Sequence, residues 1–320
     1  MVPEYNKAQI SINLTDYKIT SMHDVLEESR RLAQERGILV TGSEIVGMVP
    51  FPALLESGKY YLHKQSRSSG IPIDDILEIA VQSLGLRDVT DFNIQERVLG
   101  LPKYNPEDLV NKKVKEFIDE VSRESPAPGG GSIAALAGAL GAALSSMVSN
   151  LSIGRRGTEE VDDILKPIAD KAQELKDSLI KAVDEDTNAF NAYMAARRLS
   201  EKTNQDKEHK RAAIQAGLKQ AVAVPLDTAK LSAEVIDIAQ VVVEKGNANS
   251  VTDAGVGAHI AFTGVKGGIY NVLINLKEIE DKKFIKNMKL TCQRLEKDSQ
   301  QKLDLIQKMV DEKIFKLMAK

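Results

Sequence analysis

A pair of carboxylates in one long helical segment, residues 165–199, could do proton chemistry. Asp184 falls on the polar face of this predicted helix. Asp186 comes three residues after Val183 and four before Phe190, so it falls on the apolar stripe. A carboxylate there is costly unless it is paired or protonated, and burial raises its pKa toward the range that suits general acid–base catalysis. A structural aspartate satisfied by a helix end or an arginine explains the position equally well.

A glycine-rich segment, "PAPGGGS" at 126–132, precedes a run of small residues from 133 to 148. It has no lysine after Gly131 and no strand before Gly129, so it matches neither a P-loop nor a dinucleotide fingerprint. The run is shorter than the roughly 20 apolar residues of a membrane span. We therefore predict a helix capped by Ser132, whose small residues allow close packing and whose free amides could bind an anion or a polar ligand.

A second polar cluster lies in "GNANSVTD", residues 246–253, where one helix should end and another should begin with a cap at 250 or 252. Asn247 belongs to the loop. Asn271 and Asn275 are four residues apart on an otherwise apolar helical segment. Buried amides need partners, which either a polar substrate or a neighbouring helix would supply.

Composition excludes several classes of protein. The 320 residues carry a net charge of −3, only 4% are aromatic and none is Trp, which disfavours nucleic-acid and anionic-membrane partners. The one cysteine excludes an intrachain disulfide framework and a Cys-rich zinc site, and the four histidines have no metal-ligand spacing. From these cysteine and histidine patterns we expect a protein without a metal. Because the N-terminus lacks signal-peptide features, we also expect a cytoplasmic protein.

The pattern of apolar residues changes near residue 105. Residues 1–105 mix strand and helix signals, with strands predicted in 8–17 and 38–50 and a helix over 21–37. Helical periodicity dominates 110–320. The sequence therefore predicts an α+β domain followed by an all-α helical bundle.

The motifs taken in order resemble the cyclodeaminase domain of the formimidoyltransferase-cyclodeaminase family. They read "PAPGGG" at 126–131, "DTNAF" at 186–190, "AVAVP" at 221–225, "GNANSVTD" at 246–253 and "NVLINLK" at 271–277. Five such motifs in the same order and spacing are far more specific than any one of them.

Residues 1–105 resemble the C-terminal subdomain of the same family's formimidoyltransferase domain, carried by "AQISINLTDYKIT" and "VTGSEIVGMVPFPALLESGKYYL". We expect a ferredoxin-like sheet with helices. The upstream subdomain that carries the family's catalytic histidine is not in this sequence. Transferase activity is therefore not expected from this chain alone, and a separate transferase chain is an expected partner.

The resemblance implies conversion of 5-formimidoyltetrahydrofolate to 5,10-methenyltetrahydrofolate and ammonia, with no cofactor beyond the folate. Asp186 is the expected acid–base residue, Asp184 the alternative and Asp253 a supporting acid. The remaining residues expected to bind the folate, including its polyglutamylated forms, are Gly129, Gly130, Gly131, Ser132, Asn247, Asn271, Asn275, Arg155 and Arg156.

Two other functions fit the same resemblance. Relatives that have the helical domain alone hydrate the methenyl bridge, so the chain could be a methenyltetrahydrofolate cyclohydrolase. It could also be a non-catalytic folate-binding or assembly module. In each case we expect a homodimer or a higher homo-oligomer, because the amphipathic helices and small-residue faces suit such packing.

Overall fold

The computed structural model describes residues 7–103, 105–155 and 159–319. The chain divides into two compact units, residues 1–103 and residues 104–320. The first unit mixes short strands with helices, and the second is helical throughout its described regular elements.

The first unit is built around two packed helices. The helix predicted over 21–37 is confirmed, because Ser21 caps it in a capping box with Asp24 and Gly37 follows it with a φ of 68°. The elements of this unit are α1 (Met22–Gln34), β1 (Val49–Pro50), α2 (Phe51–Lys64), α3 (Ile73–Leu84), α4 (Ile94–Arg97) and β2 (Val98–Leu99). Leu54 of α2 and Leu77 of α3 are almost fully buried in its core.

The strand predictions for this unit are wrong in extent. Residues 8–14 form no strand, and of 38–50 only the last two residues do. Within the described part of the unit, β1 and β2 pair in parallel, Val49 with Val98 and Pro50 with Leu99. The alternation of Ile10 and Ile12 with polar residues is typical of a strand, but a strand forms only when it pairs with a second strand. Both isoleucines are exposed in this structure. The described residues of this unit form a two-stranded sheet, and the expected ferredoxin-like sheet is not observed among them.

The second unit is a bundle of long helices. After a 3-10 turn at Leu109–Asn111, its helices are α5 (Val114–Val121), α6 (Gly130–Asn150), α7 (Glu159–Arg197), α8 (Asn204–Lys245), α9 (Val251–Asn275) and α10 (Lys282–Met318). Short 3-10 turns at Ala248–Ser250 and Leu276–Glu278 lie before and after α9.

The small-residue helix α6 lies at the centre of this bundle. It runs antiparallel to α7, because Gly131 meets Asp186 near one end and Gly138 meets Leu179 further along. Its small residues bring it close to α8 and α9, where the Ser232 hydroxyl fits against Gly138 and Gly264. The close helix packing predicted from the alanine and glycine pattern is thus confirmed.

By length and composition alone, α6 could also cross a membrane. It has 21 residues, more than the apolar run that the sequence suggested. However, 61% of its most apolar window is buried inside the unit. That burial is typical of a core helix, and one such helix is weak evidence for a membrane span.

Helix α8 continues through a proline, and α9 supplies the hydrogen bond that this proline removes. Pro225 has no N–H, so the carbonyl of Ala221 four residues earlier loses its intrahelical donor. The side-chain amide of Asn275 donates to that carbonyl at 2.8 Å. This contact fixes the register of α9 against α8 where α9 ends.

Candidate active site

The carboxyl group of Asp186 lies directly over the first turn of α6. A Cβ atom on Gly131 would overlap both carboxyl oxygens and Cγ of Asp186. Glycine is therefore required at this position for the carboxyl group to approach the helix backbone. The structure brings together the acid and the glycine-rich segment that the sequence singled out separately.

Helix α6 begins earlier than predicted. Gly129 occupies the N-cap position and offers no side-chain cap, and Ser132 is the third helical residue. The prediction that Ser132 caps the helix is wrong, because its hydroxyl turns away from its own helix toward α7. Instead, the Asp186 carboxyl group of α7 lies over the first turn of α6, where a capping side chain would lie.

Ser132 is fully buried and touches three groups on α7. Its Oγ lies 2.8 Å from the carbonyl oxygen of Val183, 3.2 Å from Oγ1 of Thr187 and 3.4 Å from Oδ2 of Asp186. Neither Val183 nor Thr187 was a candidate from sequence. Both lie within one helical turn of Asp186, so the helical spacing could have indicated them.

The protonation of Asp186 is set by two opposing effects. Burial is the larger and raises its pKa above the ordinary aspartate value, because removal from water disfavours the charged form. The Ser132 hydroxyl, which donates toward the Asp186 carboxyl group, opposes part of this rise, and the Ser132 backbone N–H opposes it further. A half-buried acid with a raised pKa can both give and accept a proton, as acid–base catalysis needs.

Of the two asparagines of α9, Asn271 lies beside the glycine loop, and Asn275 follows it one turn later. The Asn271 amide nitrogen lies 3.5 Å from the position that a Cβ on Gly130 would occupy, and it donates to the Gly267 carbonyl at 2.8 Å. The Asn275 amide nitrogen is held by Ala221. Each side chain therefore commits one of its two amide hydrogens to backbone, which leaves the second hydrogen and the amide oxygen for a ligand.

Asp184 has a structural partner. Its carboxylate accepts hydrogen bonds from the backbone N–H groups of Leu109 at 2.7 Å and Val110 at 3.4 Å. It thereby ties the 3-10 turn to α7 and points away from the first turn of α6. This geometry fits a structural cap better than the alternative acid–base role.

The other predicted residues lie toward the opposite end of α6. This helix spans about 30 Å, and Arg155 follows its C-terminus. Asn247 donates its backbone N–H to the Ser152 hydroxyl there, and Asp253 lies in the first turn of α9. Within one chain these residues do not meet Asp186. Arg156, predicted with them, lies outside the described residues.

The described residues contain no cluster of three or more His, Cys, Asp or Glu side chains that could hold a metal ion. What they do contain is the half-buried carboxyl group of Asp186 at a helix N-terminus, beside the hydroxyl groups of Ser132 and Thr187. Fold and site together define a helical-bundle protein with a candidate acid–base site.

Comparison with known proteins agrees with this class. The formiminotransferase-cyclodeaminase family matches residues 113–294, and the formiminotransferase domain family matches residues 1–102. The chain is 39% identical over 284 residues to the formimidoyltransferase-cyclodeaminase of Sus scrofa, covering 88% of this chain and 52% of that protein. It thus spans about half the length of this relative.

Two shorter proteins resemble the helical unit. The methenyltetrahydrofolate cyclohydrolase of Methylorubrum extorquens is 41% identical over 174 residues, covering 54% of this chain and 84% of that protein. The crystal structure of formiminotetrahydrofolate cyclodeaminase from Thermotoga maritima superposes with a TM-score of 0.59 at 29% identity, covering 65% of this chain and all of that one. The chain belongs to the formiminotransferase-cyclodeaminase family.

Proposed function

We propose that this chain is a formimidoyltetrahydrofolate cyclodeaminase, which converts 5-formimidoyltetrahydrofolate to 5,10-methenyltetrahydrofolate and ammonia. The observation that carries the proposal is the half-buried carboxyl group of Asp186 over Gly131. The named relatives supply the substrate class, and the geometry supplies the proton-transfer group.

The reaction needs one proton to move between two nitrogens. Folate N10 attacks the formimidoyl carbon, and the new C–N bond leaves N10 with a proton to lose. Asp186 in its ionised form takes that proton and then gives it to the amino nitrogen, whose C–N bond breaks to release ammonia. The formimidoyl group enters in its protonated, cationic form, so the proton lost by N10 is the one gained by the amino nitrogen, and the positive charge passes to the methenyl product.

The remaining side chains at the glycine loop bind and orient the folate. Gly129 and Gly130 let the folate approach the backbone, while Gly131 leaves room for the Asp186 carboxyl group and Ser132 lies beside it. The Asn271 and Asn275 oxygens accept hydrogen bonds from folate N–H groups. Holding N10 against the formimidoyl carbon supplies much of the rate enhancement, because the reaction becomes intramolecular.

The experiment follows two products. The purified chain is given 5-formimidoyltetrahydrofolate while ammonia and the methenyl absorbance are measured together. The proposal expects both to rise in a 1:1 ratio. Failure of both to rise in a folded sample rejects the deaminase.

A methenyltetrahydrofolate cyclohydrolase is the second candidate function. The similarity of residues in the helical unit to the Methylorubrum extorquens cyclohydrolase favours it. The same carboxyl group would activate a water for attack on the methenyl carbon. Hydrolysis of 5,10-methenyltetrahydrofolate faster than in buffer, without deaminase turnover, selects this function. Folate binding without either reaction selects a non-catalytic module.

A homodimer is part of the proposal, and an exposed apolar face supports it. Leu140 and Met147 of α6, Leu151 directly after α6 and Val256 of the neighbouring α9 are large apolar residues, and all are exposed. A two-fold pairing of two such faces buries the same surface on both copies. It also accounts for hydrophobic side chains that otherwise face water.

The same pairing would complete the site. Arg155, Asn247 and Asp253 lie toward the C-terminal end of α6 and the N-terminal end of α9. A two-fold axis through the middle of that face brings the far end of one copy to Asp186 of the other. The glutamate tail of the folate would then meet Arg155 of the second copy.

Mixed dimers test this arrangement. Asp186→Asn and Arg155→Ala/Asn247→Ala chains should each have little turnover alone. Unfolded and refolded together at equal amounts, they should recover about a quarter of wild-type turnover, because half of the dimers contain one intact site. No recovery in mixed dimers rejects the shared site.

The first unit supports a separate proposal about a partner. Large apolar side chains along its unpaired segments are exposed, namely Ile10, Ile12, Ile38, Leu39, Val46 and Met48. Further polypeptide of the formimidoyltransferase class would cover them and complete the sheet. A chain with the remaining part of such a domain should co-purify with this one, and Ile12→Asp should abolish co-purification.

A further inference from the structure

The outer face of α10 carries opposite charges in its two halves. A groove near the start of the helix is basic, and it is lined by Lys282, Ile285, Lys286, Lys289 and Leu290. A groove toward its end is mostly acidic, and it is lined by Asp304, Gln307, Lys308, Asp311, Glu312 and Phe315. The proposed function uses neither groove.

Both grooves lie on the same side of α10. Lys286 and Asp304 are eighteen residues apart, which is about five full turns, so their side chains leave the helix in the same direction. Cys292 and Ile306 are buried on the other side of the helix, where α10 packs into the bundle. The charged side therefore faces away from the bundle.

The lysines of the basic groove have no acidic partner within the described chain. Elsewhere on α10 charges are paired across the bundle, as Glu296 is with Lys266 of α9. Among the described residues no carboxylate forms an ion pair with Lys282, Lys286 or Lys289. This half of the outer face is thus available to an acidic surface.

The spacing of the charges fits the same helix turned end for end. Lys282 and Lys289 are seven residues apart, and so are Asp304 and Asp311. When two α10 helices pair antiparallel, a single register therefore sets Lys282 opposite Asp311 and Lys289 opposite Asp304. Because the pairing has two-fold symmetry, each contact occurs twice and the pair of helices forms four ion pairs.

The remaining residues of the two grooves fit the same pairing. Leu290 is 45% exposed and Phe315 is 71% exposed. Covering them adds a hydrophobic contribution to ion pairs that are weak singly at a surface. Lys308 is the one basic residue of the acidic groove, and it lies four residues from both Asp304 and Glu312, which offset its charge on the same helix.

We propose that the outer face of α10 is a self-complementary docking surface, which binds α10 of a second copy of this chain in antiparallel orientation. This surface is separate from the exposed residues of α6 and α9, and it does not depend on the proposed activity. The family match ends at residue 294, so the acidic half lies beyond it. A chain with two separate two-fold interfaces assembles beyond a dimer.

Charge reversal tests the pairing, because either half can be made to repel. Lys282→Glu/Lys289→Glu and Asp304→Lys/Asp311→Lys each set like charges opposite one another in all four contacts. Sedimentation velocity of the full chain should show each variant at half the wild-type mass, with a dissociation constant raised by about 10- to 1000-fold. A wild-type chain that sediments as one copy, or variants that keep the wild-type mass, overturn the proposal.

Mixing the two variants should restore the assembly. In a mixed pair the new glutamates of one chain face the new lysines of the other, and the native lysines face the native acids. The mixture should regain the wild-type mass, which also shows that both variants are folded. Failure of the mixture to assemble contradicts the proposed complementarity.

A matched control changes the same amount of charge elsewhere on α10. Lys283 and Lys316 are exposed, and the proposed register sets neither of them opposite an acid. Lys283→Glu/Lys316→Glu should therefore keep the wild-type mass. An equal loss of mass in this control would mean that net charge alone governs assembly, which overturns the proposal.

A cross-link tests the antiparallel orientation. In the proposed register Lys297 lies beside the two-fold axis and next to Lys297 of the second copy, whereas the two copies of Lys283 are about 40 Å apart. Lys297→Cys should cross-link through a bifunctional maleimide that spans about 10 Å, the separation of packed helices, and Lys283→Cys should not. The native Cys292 is buried and should not react. Equal cross-linking at both positions would indicate parallel helices and overturn the proposal.

Discussion

Removal of the Asn275 amide should destabilise the helical unit, because the backbone carbonyl of Ala221 on α8 would lose its hydrogen-bond donor. Pro225 leaves the Ala221 carbonyl without its intrahelical donor, and Asn275 donates to it at 2.8 Å. Ala221 is buried, so water cannot easily replace the lost bond. We therefore expect Asn275→Leu to lower the free energy of unfolding by about 1–3 kcal/mol, the penalty of an unsatisfied buried carbonyl.

The proline should control the size of this effect. In a Pro225→Ala background, residue 225 regains an N–H that can reach the Ala221 carbonyl within α8. Asn275→Leu should then cost only about 0.5 kcal/mol, as for a side chain without a required partner. The difference, about 0.5–2.5 kcal/mol, is the coupling energy between the Asn275 amide and Pro225.

A double-mutant cycle measures this coupling. The four proteins are unfolded in urea, and the far-ultraviolet circular dichroism of the full chain reports the helices. Asn271→Leu is the matched control, because its amide donates to Gly267 of its own helix and should not depend on Pro225. Equal costs of Asn275→Leu in both backgrounds would refute the reasoning.

Three further substitutions have expected outcomes. Gly131→Ala should lower turnover by about 10²-fold, because a methyl group displaces the Asp186 carboxyl group, and steady-state kinetics checks this. Asp184→Ala should lower the free energy of unfolding by about 1 kcal/mol in urea titrations, since the turn at 109–111 loses its cap. Ser232→Ala should raise it by about 1 kcal/mol, because this buried hydroxyl has no hydrogen-bond partner among the described residues. A loss of stability in Ser232→Ala would contradict that account.

Much of the helical unit could be predicted because its patterns are local. Helical spacing identified α7 and put Asp186 on its apolar stripe, where the structure half-buries it. The small residues of α6 predicted close packing, which is observed. The sequence could not show that Gly131 would face Asp186, because 55 positions separate them and only tertiary packing sets that register.

The failures also have physical causes. The strand predicted over 8–17 alternates correctly, but a strand exists only when a neighbour accepts its hydrogen bonds. Ser132 carries a good capping side chain, yet Gly129 and Gly130 allow the helix to begin earlier. The Asn275 contact follows from a carbonyl freed by Pro225, a signal that is present in the sequence once the helix is known to continue through the proline.

Asp186→Asn, compared with Glu185→Gln, tests the central claim most directly. Glu185 is the adjacent acid, but it faces outward and pairs with Lys181 at 3.1 Å, so its loss should leave turnover close to wild type. Asp186→Asn should abolish ammonia release.

Stability provides the second readout of the same variant. Burial raises the folded-state pKa of Asp186, so its ionisation opposes folding once the pH rises above the unfolded value. Asp186→Asn should therefore be at least as stable as wild type at neutral pH, with the difference disappearing as the pH falls below the ordinary aspartate range. A folded Asp186→Asn protein without turnover is the predicted result, and a folded one that still releases ammonia at the wild-type rate would contradict the account.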